Sequence, residues 1–209
     1  PLGQPFGAEV ALLDHAAAAH DLPVEELAPY PTLPGLVEPL AESIRDAVAE
    51  ARHGDAGTSA TTNTRAGHGT SAPTPGASAD DVVVLLTAHG LPERMISAGD
   101  PYVSHVEQTA DAIRSAADVG CPVLLAYQSR LGPVRWVGPQ VDKVVTALAR
   151  KGTSTLIVAP ITFVTEHLET RYDLDLELRA HAWDIGIPRY HRLPAIGRGQ
   201  DGVTGAFEN

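Results

Sequence analysis

The feature that most constrains this chain is an alternation of short apolar runs with helical repeats, which begins at residue 81. Apolar runs predict strands at residues 82–87, 122–127, 155–159 and 189–193. Asp100 and Pro101 are typical of a helix N-cap and first helical position, and Pro139 of a second helix start. A third helical stretch is predicted at residues 167–183. The order β-α-β-α-β-α-β predicts an α/β fold: a four-stranded parallel sheet flanked by helices, with right-handed crossovers.

Two segments of different character precede this region. Residues 1–52 are predicted to be helical, and Leu36, Leu40, Ile44 and Val48 recur at a spacing of four residues on one helix face. Residues 53–80 contain no Leu, Ile, Val or aromatic residue, which predicts a flexible insertion in which His53 and His68 are solvated. The expected organisation is therefore a helical segment (1–52), an insertion (53–80) and an α/β lobe (81–209).

Charge and cysteine content exclude several classes of protein. The 15 Lys and Arg against 26 Asp and Glu give a formal net charge of −11, which argues against nucleic acid as the partner. Cys121 is the single cysteine, so neither an internal disulfide nor an iron–sulfur cluster is expected, and a reducing, cytoplasmic location is favoured. The sequence shows no signal peptide and no apolar run long enough to span a membrane.

His89 is the first candidate for chemistry. Ligands bind parallel sheets outside the carboxyl ends of the strands. That rule selects residues 87–90, 128–130 and 160–169. His89 directly follows the first predicted strand, where its ring could either act on a ligand or cap a backbone group.

A row of carboxylates is the second candidate. Glu169, Asp173 and Glu177 are each four residues apart, which places them on neighbouring turns of one helix face. A solvated face explains such a row, and so does a cleft that conducts a hydrated cation; a π-helical stretch would straighten the row and is typical of functional sites. One His with carboxylates is not a closed structural zinc site but suits a metal that is handed on.

Aromatic residues near these segments have two interpretations. Trp136, Tyr102 and Tyr127 could pack in the core or line an apolar pocket. The sequence contains no Walker loop, GxGxxG, HExxH or Ser-His-Asp signature, which argues against a nucleotide-binding α/β domain.

An ordered set of motifs resembles the ferrochelatase family over about residues 82–194. The set consists of Ala88-His89-Gly90-Leu91-Pro92, Gly99-Asp100-Pro101-Tyr102, Tyr127-Gln128-Ser129-Arg130-Leu131-Gly132-Pro133, Trp136-Val137-Gly138-Pro139 and His167-Leu168-Glu169-Thr170. Any one of these is a weak signal, but their order and spacing together are specific.

The resemblance implies a chelatase lobe, one of two similar Rossmann-like lobes that enclose a porphyrin. By this resemblance His89 and Glu169 face each other at the metal-insertion position, and Asp173 and Glu177 continue an acidic path on a partly π-helical segment. Ferrous iron and a porphyrin would be substrates, with no permanently bound cofactor. A monomeric state and peripheral membrane contact are open expectations. The implied cleft residues are Tyr127, Gln128, Ser129, Arg130 and Trp136.

Departures from the family pattern keep alternatives open. Most of the first lobe is expected to be missing, Glu166 stands where the family has Asp, and Ile196-Gly197 stand where it has Asn. The sequence does not distinguish protoporphyrin IX from coproporphyrin III. A cobalt or nickel tetrapyrrole chelatase, and a truncated non-catalytic porphyrin-binding lobe, are the alternative functions.

Overall fold

A computed structural model describes residues 15–20, 29–53, 81–129 and 132–196. A helical turn at residues 15–19 precedes the elements that build the fold. The helices are α1 (Pro34–His53), α2 (Glu93–Ser97), α3 (Tyr102–Ala117), α4 (Val141–Arg150), a π-helix (Glu169–Leu178) and α5 (Arg179–Asp184). The strands are β1 (Val82–His89), β2 (Val123–Gln128), β3 (Thr155–Pro160) and β4 (Arg189–Arg192).

The four strands form one parallel sheet in the order β2-β1-β3-β4. Strand β1 is buried along its length except at its last residue, His89, as expected for a β-branched, apolar strand covered on both faces. This confirms the α/β prediction and its four strands. Because all strands run the same way, their carboxyl ends meet at one edge, where His89 lies.

Each face of the sheet is covered by its own helices. Val82, Val84 and Leu86 of β1 pack in a cluster with α1 and α3, whereas Val83 and Leu85 pack in a cluster with α4, α5 and the π-helix. Side chains alternate between the faces of a strand. Thr87 and His89 therefore lie on the face that carries the π-helix.

Helix α1 has the predicted amphipathic face, and that face is part of the sheet's own core. Leu40, Ile44 and Val48 are buried against β1 and α3, while Leu36 at the start of the helix is half-buried. His53 ends α1 and is exposed. Residues 54–80, with His68, lie outside the described residues, and the three-part division of the chain stays a prediction.

Several boundaries differ from the predicted ones. β1 continues through Thr87 to His89, so the histidine is the last residue of the strand rather than the one after it. α3 begins at Tyr102, with Pro101 at the N-cap position predicted for Asp100; the Tyr102 N–H nevertheless donates to Asp100 Oδ1 over 2.9 Å. α4 begins at Val141, two residues after Pro139. The predicted helix at 167–183 is a π-helix followed by α5, and α2 was not predicted.

No helix within the described ranges is long and apolar enough to cross a membrane.

Candidate functional site

The centre of the site is a contact between His89 at the tip of β1 and Glu169 at the start of the π-helix. The Nδ1 atom of His89 lies 2.8 Å from Oε2 of Glu169, and both side chains are 35% exposed. The two residues are 80 positions apart in the sequence. The predicted convergence of imidazole and carboxylate is therefore present in the structure.

The backbone of His89 is fixed on both sides. Its N–H donates to Thr162 Oγ1 over 3.0 Å, and its carbonyl accepts a hydrogen bond of 2.8 Å from the Tyr102 hydroxyl. Burial raises the pKa of Tyr102 to about 12, so this phenol remains a donor at neutral pH. These contacts hold the histidine at the rim of the sheet and leave its ring to make the contact with Glu169.

The contact with Glu169 determines the tautomer of His89. An ionised carboxylate has no proton to give, so Nδ1 carries the hydrogen and donates it. In the neutral ring Nε2 is then the basic nitrogen, and no partner for it is found among the described residues. The ring nitrogen that can accept a proton or bind a metal is therefore Nε2.

Ser129 follows β2 and joins two carboxylates. Its hydroxyl donates to Glu169 Oε2 over 2.7 Å and lies 3.4 Å from Asp173 Oδ2. Its backbone has a φ of 65°, a left-handed conformation that is uncommon for serine and is often found at functional sites. This turn directs the hydroxyl towards the π-helix instead of along the strand.

The pKa values of the two carboxylates shift in opposite directions. Partial burial alone raises the pKa of Glu169. The hydrogen bonds from Ser129 and His89, together with the charges of His89 and His167, outweigh burial and lower this pKa below its usual value. Burial, followed by the negative charges of Glu169 and Glu177, raises the pKa of Asp173. The environment thus favours the ionised form of the carboxyl beside the histidine and the protonated form of the second carboxyl.

The row of acidic residues runs from the site to the surface. Glu169 and Asp173 are half-buried, and Glu177, one turn further along the π-helix, is exposed. Thr170, Leu174 and Leu178, each one residue further along the chain, turn a neighbouring face of the same helix into the core. The predicted acidic row therefore lies on a π-helix, with one end at His89 and the other in solvent.

Phe163 and His167 form one wall of the site. The Phe163 ring lies edge-on to His89 with centroids 6.4 Å apart and packs on His167 at 4.6 Å. The Glu169 N–H donates to His167 Nδ1 over 3.2 Å. Sequence reasoning selected residues 160–169 by the carboxyl-end rule but did not identify Thr162, Phe163 or the role of Tyr102.

The predicted cleft residues separate into two groups. Tyr127 and Gln128 are 2% and 3% exposed, because β2 continues to Gln128 and Tyr127 points into the α1–α3 core. This burial fits the core position that the sequence left open for Tyr127, and not the cleft position that the resemblance implied for both residues. Ser129 contacts Glu169, and Trp136 is half-buried near Gly90. Arg130 lies outside the described residues.

The site combines one imidazole with neighbouring carboxylates. No group of three His, Cys, Asp or Glu side chains within the described ranges is placed to hold a metal ion. The half-buried Cys121 has no disulfide partner there, and burial raises the pKa of its thiol. An imidazole with a neighbouring carboxylate can accept a proton or hold a cation briefly.

Comparison with known proteins connects this geometry to a family. The ferrochelatase family model matches residues 8–205. A ferrochelatase of Thermosynechococcus vestitus is 42% identical over 118 residues, which is 56% of this chain and 30% of that protein. The ferrochelatase of Phenylobacterium zucineum is 42% identical over 117 residues, 56% of this chain and 34% of that protein. Ferrochelatase-2, chloroplastic, of Arabidopsis thaliana is 40% identical over 124 residues, 57% of this chain and 24% of that protein.

Among solved structures, a cobalamin (vitamin B12) biosynthesis CbiX protein of Marinobacter aquaeolei has a TM-score of 0.44 at 16% identity, covering 59% of this chain and 89% of that one. The region that matches the three ferrochelatases spans about a third, or less, of the length of those relatives. The family model nevertheless covers most of the chain, and so the chain belongs to the ferrochelatase family.

Proposed function

We propose that this protein inserts ferrous iron into a porphyrin in haem synthesis, with the His89–Glu169 pair at the place of insertion. The observation that carries the proposal is the 2.8 Å contact between Nδ1 of His89 and Glu169, with Nε2 left as the basic nitrogen. Family membership supports the same reaction, because the curated relatives are named ferrochelatases.

The reaction releases protons from the porphyrin, and the site must accept them. When Fe²⁺ enters a porphyrin, two pyrrole N–H protons leave, so the products are the iron porphyrin and two H⁺. Nε2 of His89 accepts a pyrrole proton, and the Glu169 carboxylate stabilises the imidazolium that results. The lowered pKa of Glu169 keeps this carboxylate ionised, as that role demands.

Protons or metal then move along the π-helix. In this proposal Asp173 accepts protons after His89: Ser129 lies between Glu169 and Asp173, and burial with the charges of Glu169 and Glu177 raises the pKa of Asp173. Glu177 leads to solvent. The same oxygens suit a hydrated Fe²⁺ on its way in, since carboxylates with retained water bind such a cation weakly.

Iron is a substrate in this proposal, and no resident cofactor is needed. A single cysteine cannot ligate an iron–sulfur cluster by itself. We place the reaction in the cytoplasm, with protoporphyrin IX and coproporphyrin III as the two candidate substrates. Because the chain matches about a third of the relatives' length, a second lobe is proposed to complete the porphyrin cleft.

The test is a porphyrin titration followed by anaerobic addition of Fe²⁺. We expect His89→Ala to bind porphyrin, seen as a shift of its absorption band, but to insert iron about 10²–10⁴-fold more slowly, as for loss of a general base. His53→Ala is the matched control, since His53 is exposed at the end of α1.

Other outcomes decide among the alternatives. Insertion by His89→Ala at the wild-type rate would remove His89 from the mechanism. A preference of the wild type for Co²⁺ or Ni²⁺ over Fe²⁺ would identify the related chelatase instead. Porphyrin binding without insertion of any of these metals would identify a non-catalytic binding lobe.

A further inference from the structure

Arg192, the last residue of β4, connects two separate points of the segment that carries Glu169. Its side chain is 9% exposed. Nε and Nη2 each donate to one oxygen of Asp175, over 2.6 and 2.8 Å, and Nη1 donates to Glu166 Oε1 over 2.8 Å. One buried guanidinium thus holds two carboxylates in a fixed, partly bidentate arrangement.

Glu166 transmits this contact to the first turn of the π-helix. Its Oε1 also accepts the Ala195 N–H over 2.9 Å, and its Oε2 accepts the Thr170 hydroxyl over 2.9 Å. Thr170 is fully buried and directly follows Glu169. The N–H of His167 donates to Thr170 Oγ1 over 3.0 Å, so the turn before Glu169 is organised around this hydroxyl.

Asp175 is the second point of attachment, within the π-helix itself. Glu166 and Asp175 bracket both carboxylates of the site, Glu169 and Asp173. A π-helix of this length is rare, and its winding decides where each side chain points. Contacts that fix both sides of the Glu169 turn therefore fix the direction of the Glu169 carboxylate.

We propose that Arg192 is a positioning residue for metal insertion: it holds the π-helix at Glu166 and Asp175 so that Glu169 meets Nδ1 of His89. This inference deepens the proposed function and rests on it for its catalytic meaning. The geometric part, that Arg192 maintains the His89–Glu169 contact, stands independently of any activity.

The planar guanidinium group with its several N–H donors predicts that only arginine can hold Asp175 and Glu166 at the same time. A lysine carries the charge but offers one nitrogen, which cannot reach both oxygens of Asp175 and Glu166 together. Arg192→Lys is expected to fold, since the buried charge is kept, and still to lose the positioning. Arg192→Gln removes both the positive charge and the guanidinium hydrogen-bond donors.

The test reads the tautomer of His89 by ¹⁵N NMR of histidine-labelled protein at about pH 8, where an ordinary histidine is neutral. The His89 signals are assigned by their loss in His89→Gln. The wild type is expected to show the Nδ1–H tautomer. Arg192→Lys and Arg192→Gln are each expected to lower the Nδ1–H to Nε2–H ratio about tenfold or more, the weight of a hydrogen bond to a charged group.

Two further variants distinguish positioning of Glu169 by Arg192 from a general destabilisation of the π-helix. Arg179→Gln is the matched control, because Arg179 also approaches Asp175, at 3.8 Å, but is 38% exposed; it should leave the ratio unchanged. Glu169→Gln should lower the ratio by itself, and adding Arg192→Lys to it should change nothing more. Such non-additivity shows that Arg192 acts through Glu169.

The outcomes for the two proposals are distinct. An unchanged His89 tautomer in folded Arg192→Lys, or an equal change in Arg179→Gln, would overturn the positioning role. In the insertion assay we expect Arg192→Lys to lower kcat about tenfold or more with porphyrin affinity kept. A wild type that inserts no metal while the tautomer still responds to Arg192 would overturn the proposed function and leave the positioning role intact.

Discussion

Ser129 gives the site its most specific single contact, one hydroxyl between the carboxylates of Glu169 and Asp173. We expect Ser129→Ala to raise the pKa of Glu169, since it removes the strongest of the hydrogen bonds that lower it. The titration of the Glu169 carboxyl carbon by ¹³C NMR measures this pKa. Ser43→Ala is the control, because Ser43 is half-buried in α1 and its hydroxyl donates to the Pro39 carbonyl of the same helix. An unshifted Glu169 titration in Ser129→Ala would show that the hydroxyl bonds elsewhere.

Gly90 is the residue that allows β1 and β2 to approach each other directly after His89. Its N–H donates to the Gln128 carbonyl over 2.8 Å, and a Cβ at this position would lie 2.8 Å from that same oxygen. Backbone cannot move aside as a flexible side chain can. We expect Gly90→Ala to lower the free energy of unfolding by about 1–3 kcal/mol, the usual cost of overpacking.

Urea unfolding measures this cost. Gly138→Ala is the control, since a Cβ there would meet its nearest neighbour, the backbone N of Gln140, at an ordinary 3.5 Å. Equal stability of the two variants would mean that the strand ends separate without cost. A blue or red shift of Trp136 fluorescence would accompany the strain, because its ring lies 3.5 Å from the same Cβ position.

At this scale the sequence predicts the contact between His89 and Glu169 better than its surroundings. His89 and Glu169 were predictable because strand tips meet at one edge and because the motifs match a family. The burial of Gln128 was not predicted, since its polar side chain gave no sign that β2 continues to it, whereas the core was one of the two positions considered for Tyr127. Nor does any local pattern show that Ser129 adopts a positive φ.

The π-helix is an element that tertiary contacts select. Thr170, Leu174 and Leu178 are buried at four-residue spacing, a spacing that an α-helix also accommodates, so the periodicity predicts only a helix, and a partly π-helical segment was expected from the family resemblance alone. The contacts of Arg192 join residues 17 and 26 positions apart in the sequence. Such long-range contacts cannot be read from a periodicity, which is why Arg192 was not predicted.

The attachment of Glu166 makes this element sensitive to acid. Burial raises the pKa of Glu166, but the hydrogen bonds from Arg192, Ala195 and Thr170 outweigh it and lower the pKa to about 2. A group whose pKa is lowered on folding stabilises the fold above its unfolded pKa of 4.5. That stabilisation is lost as the pH falls from about 4.5 towards 2.

We therefore expect Glu166→Gln to be less stable than the wild type at pH 7 and to lose less stability between about pH 4.5 and 2. Urea unfolding at several pH values measures both quantities. Asp111→Asn is the control, since Asp111 is 74% exposed in its ion pair with Arg114 and should contribute little. Parallel pH profiles for wild type and Glu166→Gln would contradict the assigned role of Glu166.

On the scale of the whole molecule, the sequence predicted the parallel sheet but not which helices complete its core. Helix α1 precedes the sheet by almost thirty residues, and its composition alone suggested a separate segment. In the structure its buried face lies in one cluster with β1 and α3. The amphipathic face of α1 was predictable, whereas its partner surface was not, because a stripe of apolar residues does not specify what it packs against.

This packing leads to a test of whether α1 and the sheet are one folding unit. Ile44 is fully buried in α1, within the cluster that contains Val84 and Ala110. We expect Ile44→Ala to lower the free energy of unfolding by about 2–5 kcal/mol, as for other large-to-small changes in a core. Glu42→Ala, an exposed change on the same helix, should have little effect.

Two optical signals distinguish one unit from two. Far-UV circular dichroism follows the helices, of which α1 is the longest described, whereas Trp136 and Trp183 lie outside α1 and report on the sheet lobe by fluorescence. If α1 shares the core, both signals of Ile44→Ala shift together to lower urea concentration in a single transition. If α1 folded as a separate segment, circular dichroism would lose amplitude first and the tryptophan transition would stay where it is in the wild type. The buried contacts of Ile44 with the sheet side of the core favour the single transition, because a cavity there removes packing from β1 and α3 as well as from α1.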